Sequence, residues 1–134
     1  MKFKLKDGEK VRTTIANIAT ATAIEAGDMV AISSGLIILG AAASAKLAWC
    51  PNGHVANSGT EVEVSVGNDF TLIGTGDAVF AVTYKGGEYD LNDTTQTIDY
   101  GASSTDVLTV SIDKNAGVVG TAAGVEVRIN KPIF

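Results

Sequence analysis

Trp49, Cys50, Pro51, Asn52, Gly53 and His54 run together as "WCPNGH", and the stretch holds the chain's single Trp, single Cys and single His. A thiol and an imidazole this close could form a nucleophile and its base. Such a pair must lie within hydrogen-bond reach and usually needs a third group to orient it. A zinc site needs about four ligands. Carboxylates would have to complete the set, and none occurs between Lys46 and Glu61. Pro51 and Asn52-Gly53 set a turn, not one face of a helix. We therefore read Trp49 as a packing anchor, Cys50 as its small, partly buried neighbour, and His54 as a solvated loop residue. A small hydrolase using Cys50 and His54 is the enzymatic alternative.

The acidic residues give no sharper site. Asp90, Asn92, Asp93 and Asp99 sit within "DLNDTTQTID", which lacks the Gly and the late Glu of a calcium loop. They read as surface turn acids. No carboxylate pair is singled out for glycoside cleavage. "GTGDAV" and "GTAAGVEV" lack the Gly-Lys-Ser/Thr ending of a phosphate loop and read as turns. Aromatic residues are 6% of the chain, which does not suggest a stacking platform for sugars or bases. No catalytic residue, cofactor or metal is expected.

The elements around these residues are short and extended. "KFKLK" (2–6) alternates charged and apolar residues, and "TEVEVSV" (60–66) alternates strictly, both strand patterns. "MVAIS" (29–33) and "LIILG" (36–40) flank Ser-Gly in hairpin order. "VRTTIANIATATAI" (11–24), "DFTLIG", "AVFAVTY" (78–84), "EYDL", "TQTIDYG" (95–101), "DVLTVSI" (106–112) and "VEVRI" (125–129) are further extended segments. "AAASAKLAW" (41–49) is Ala-rich and reads as the one helix. The expected fold is all-β: a small β-sandwich or barrel of about ten short strands, with one short helix and an extended N-terminal arm. Residues 1–15 form the arm and 16–134 a single β-rich domain.

The 134 residues fit one core, and a hydrophobic share of 46% can stabilise it. One cysteine leaves no internal disulfide. The net charge of -5 makes nucleic acid a poor partner. The uncharged run from Met29 to Ala45 is too short and too broken by Ser and Gly to span a membrane. No secretion signal is expected, because charges continue to Arg12 and "TTIANIATATA" is too polar. Charge is split along the chain. Residues 1–12 carry Lys2, Lys4, Lys6, Lys10 and Arg12 against Asp7 and Glu9, a net +3, which leaves -8 for the rest. With Phe3 and Leu5 between the lysines, this arm could add a strand to a partner's sheet and be drawn to an acidic surface. The competing reading makes it an edge strand of its own domain, guarded by lysines.

"EAGDMVAISSGLIILG" and the distal part, "FAVTYKGGEYDLNDTTQTIDYGASSTDVLTVSIDKNAGVVGTAAGVEVRINKP", resemble the capsid decoration (cement, or auxiliary head) proteins of tailed bacteriophages. Together they cover about residues 25–40 and 80–132. The resemblance implies a structural protein on the capsid exterior of the virion, made in the host bacterial cytoplasm. It would bind the expanded shell and clamp neighbouring subunits of the major capsid protein, as a homotrimer or, less favoured, a dimer. Lys2, Phe3, Lys4, Leu5, Lys6, Lys10 and Arg12 would form the capsid-binding arm. A tail or tail-tube component is the structural alternative.

Overall fold

Alternating sequence and turn-forming glycines leave little room for helix, and the computed structural model, which describes residues 1–134, is all-β. Eleven strands follow in order: β1 (Lys4–Leu5), β2 (Arg12–Asn17), β3 (Met29–Ser33), β4 (Leu36–Leu39), β5 (Ala48–Trp49), β6 (Glu61–Val66), β7 (Leu72–Gly74), β8 (Glu88–Asn92), β9 (Thr97–Asp99), β10 (Leu108–Val110) and β11 (Val125–Ile129). The β3–β4 hairpin turns through Ser34 and Gly35, both at positive φ (51° and 79°). Two such residues give a turn whose twist matches the strands it joins.

Three antiparallel sheets result. The largest has the order β1-β7-β11-β10-β8-β9, and the others are β2-β6 and β4-β3-β5. The large sheet curls, and Ile98 of β9 makes a parallel bridge to Gly76, just beyond β7. It encloses a cluster of 16 buried residues that includes Phe3, Trp49, Phe70 and Phe80. The two smaller sheets hold a cluster of eight, including Ile18, Ile37, Val64 and Cys50. Val62 and Val64 face inward, as the alternation predicts, while Ser65 is also buried and accepts the Trp49 N–H at 2.8 Å.

Two element assignments change. Residues 41–49 are not a helix. The Ser44 hydroxyl accepts the Ala41 N–H at 2.9 Å and closes a single turn. Leu47 N–H then donates to Lys131 at 2.9 Å, and Ala48–Trp49 pair with β3. Tertiary pairing thus overrides alanine's helix preference, which is too weak to hold two turns alone. Residues 78–84 are not a strand either. Phe80 N–H donates to Thr121, and Val82–Tyr84 form the only helical element, one 3-10 turn.

Residues 1–15 also join the body. Phe3 is fully buried, and β2 runs straight through residue 15. Burying a phenylalanine side chain stabilises by about 1.5–3 kcal/mol, and the pairing of β1 with β7 adds to it. Gly74 makes the space, since a Cβ there would overlap the Phe3 ring. The Trp49 indole N–H donates to the Phe3 carbonyl at 3.1 Å, and Phe3 N–H donates to Gly27 at 3.1 Å. The extended arm is therefore an anchored edge strand.

Candidate functional site

The seven residues of the expected docking segment divide into anchors and exposed cations. Phe3 is in the core, and Leu5 packs against it half-buried. Lys6 donates to Glu126 at 2.9 Å, the one salt bridge of the chain. That bond, ahead of the effect of Glu126's charge, raises the Lys6 ammonium. Lys2, Lys4, Lys10 and Arg12 are exposed and pair with no carboxylate. Lys4 lies on β1, the outermost strand of the large sheet, and Arg12 opens β2. The alternation of "KFKLK" explains this division: one face is held by the core and the other presents charge.

A cleft of about 650 Å³ opens beside this edge, lined by Lys2, Glu25, Asp28, His54, Asp93 and Gln96 among others. Its carboxylates outnumber its single ammonium, so acidic and basic surface lie side by side. Asp28 is buried; its Oδ2 accepts the Glu25 N–H at 3.1 Å, while Oδ1 has no partner. Burial pushes the Asp28 carboxyl up, against the pull of that N–H. Gln96 ties the cleft wall together, accepting from Met29 N–H at 2.8 Å and donating to Gly40 at 3.1 Å.

"WCPNGH" lies next to this cleft but does not form a catalytic pair. Cys50 is fully buried, not partly, and burial pushes its thiol up. A nucleophilic thiolate needs the reverse. His54 is 7% exposed, where a solvated residue was expected. Its Nδ1 meets the Thr22 carbonyl at 2.6 Å and its Nε2 the Gly59 carbonyl at 3.0 Å. Both ring nitrogens face main-chain carbonyls, and no hydrogen bond joins His54 to Cys50. No group of three or more His, Cys, Asp or Glu side chains is placed to hold a metal ion.

Two clusters were not visible in the sequence. Asp90, expected as a surface acid, is 3% exposed. Its Oδ1 accepts the N–H groups of Thr105 at 2.8 Å and Asp106 at 3.0 Å, and its Oδ2 that of Ser104 at 3.1 Å. Burial, the largest single influence, raises this carboxyl, but the three donors together bring it below its ordinary value. Tyr84, Tyr89 and Tyr100 also converge. Tyr84 and Tyr100 stack at 4.0 Å, and Tyr89 meets both edge-on. Burial first, then the neighbouring Tyr84 and Asp77, push the Tyr100 phenol up to about 12. Tyr84 and Tyr100 stack on one another, which occupies one face of each ring.

Comparison with protein-family models, curated proteins and solved structures finds no match to the chain. No helix is long and apolar enough to cross a membrane.

Proposed function

We propose that this chain is a non-catalytic structural protein that decorates the outside of a phage capsid and braces the expanded shell. The observation that carries the reading is the anchored N-terminal segment with four unpaired cations, Lys2, Lys4, Lys10 and Arg12, on an otherwise acidic body. Phe3 fixes that edge in place, so docking requires no ordering of a free arm and forgoes its entropic cost. The partner surface is acidic and belongs to the major capsid protein. Opposite charge would steer approach and set orientation.

Bracing then follows from mass action. A protein that binds the assembled shell and not its separated subunits shifts the equilibrium toward the shell. Several weak contacts per assembly become strong together through effective concentration. Leu36 and Ile38 on one face of the β3–β4 hairpin, and Ile32 and Leu39 on the other, are each about two-fifths exposed and leave apolar area suited to contact between copies. A trimer is the favoured assembly and a dimer the alternative.

The test is co-sedimentation with undecorated capsids across a salt series. Deleting residues 2–12 is unsuitable because it removes Phe3 from the core. Charge reversal of Lys2, Lys4 and Lys10 to Glu leaves the anchors intact. Binding should weaken as salt rises and fall sharply in the reversed variant. Absence of binding by the unaltered protein, or rings and tubes under the electron microscope, would point instead to a tail component. Equal binding by both proteins would remove the edge from the docking surface.

A further inference from the structure

Asn52-Gly53 is the chain's only Asn-Gly pair. In such a pair the glycine nitrogen has no neighbouring Cβ to hinder its attack on the asparagine side-chain amide. Asn52 is exposed to water. On either side the main chain is pinned: Cys50 N–H donates to Asp28 at 3.0 Å and His54 N–H to Ile24 at 2.8 Å. Gly53 N–H donates to no main-chain oxygen. The pair also cannot be relieved at glycine. Gly53 has φ +68°, and a Cβ there would come within 2.5 Å of the Ile24 carbonyl oxygen and 2.8 Å of the Ala26 nitrogen. The turn that brings His54 under its two carbonyls thus obliges the chain to keep a glycine after Asn52.

We infer that Asn52–Gly53 is a self-modification site at which Asn52 converts, through a cyclic imide, to aspartate and isoaspartate. The Gly53 nitrogen loses its proton to hydroxide and bonds to Asn52 Cγ. The departing Nδ2 takes a proton from water, which restores the hydroxide, the Cγ–Nδ2 bond breaks and ammonia leaves. Water then adds to one of the two imide carbonyls. Opening at Cγ gives aspartate, and opening at the main-chain carbonyl routes the backbone through the side chain as isoaspartate. One water is consumed and one ammonia released, with no oxidation or reduction.

The conversion acts directly on the β2–β6 sheet. Asn52 Nδ2 donates to Glu63 Oε1 at 2.6 Å, and Glu63 Oε2 accepts from the Thr13 hydroxyl at 3.1 Å. Glu63 lies on β6 opposite Ile15 of β2. The product replaces this donor with a second carboxylate, so attraction becomes like-charge repulsion. The turn then separates from the sheet it was fastened to.

The full-length protein is incubated in oxygen-18 water at neutral and mildly alkaline pH, then digested and mapped by mass spectrometry. The expected result is an amide-to-acid mass gain carrying solvent oxygen at Asn52. It should be an order of magnitude faster than at any other asparagine, faster in alkali, and divided between two isomers separable by chromatography. Asn52→Gln should abolish the gain at that position, and Asn52→Asp should melt at a lower temperature than the unmodified protein. A native protein that gains nothing at Asn52, while the urea-unfolded chain does, would overturn the inference, as would equal rates at all asparagines.

Discussion

Replacing Asp90 with alanine removes the acceptor of three main-chain N–H groups in the loop at Ser104, Thr105 and Asp106. A hydrogen bond to a charged group contributes about 1.5–3 kcal/mol, and a buried donor left alone costs about 1–3 kcal/mol. Ser104 is exposed and regains water, whereas Thr105 and Asp106 are half-buried. Asp106 also holds φ +53°, a left-handed conformation that its bond to Asp90 helps to impose. The expected loss is about 3–5 kcal/mol, a large part of a domain's stability. For a chain of this size that lowers Tm by roughly 10–20 °C. Asp90→Asn keeps one acceptor oxygen and should lose about half as much. The sign of the pH effect is also fixed. The folded carboxyl lies below its unfolded value, so its contribution is complete above the unfolded value and vanishes as pH falls through the folded one. Urea melts of the three proteins at neutral and acid pH measure both effects. The gap between Asp90 and its alanine variant should narrow in acid. A loss below about 1 kcal/mol at neutral pH, or a gap independent of pH, would refute the assignment of Asp90 as the loop's anchor.

Gly74→Ala should drive the Phe3 ring from its place and cost at least about 2 kcal/mol, seen as a lower Tm and altered Trp49 fluorescence. Cys50 should resist a thiol reagent in the folded protein and react fully in urea, because it is buried with its thiol pushed up. Asp77 is raised by burial first, and also by the adjacent Asp99. A raised carboxyl favours the fold below its unfolded value, and that advantage is lost as pH rises through its folded value. Asp77→Asn should therefore stabilise slightly at neutral pH, by no more than a few tenths of a kcal/mol at this exposed site. A spectrophotometric titration should find one tyrosine ionising only near pH 12, and Tyr100→Phe should remove that step.

What the sequence made legible was local. Ser34-Gly35 between two apolar runs encodes the β3–β4 hairpin, because turn and strands are contiguous. Val62 and Val64 encode the inner face of β6 in the same way. The remainder depends on partners far along the chain. Phe3 became a core residue because Gly74, 71 positions later, leaves room for its ring. Asp90 looked like any turn acid until the loop 104–106 folded over it. Ala41–Trp49 satisfied a local helix pattern, yet Lys131 and β3 supplied backbone partners that a two-turn helix could not match. The candidate edge shows both sides of this. Its lysines were readable from spacing, while its fixed position rests on Trp49 and Gly27, which no local pattern reveals.

The strand order β1-β7-β11-β10-β8-β9 also has a consequence for birth on the ribosome. β11 lies in the middle of the large sheet, between β7 and β10, yet it is the last of the eleven strands in chain order. At about 5–20 residues per second, β1 waits roughly 3–14 s for β7 to emerge, and the sheet stays split until β11 follows. Non-local pairing of this kind folds slowly and leaves strand edges bare meanwhile. Assembly of the large sheet therefore waits for its last strand. A chain cut short before β11 would lack the strand that joins the two halves of the sheet, so only copies that include β11 can complete it.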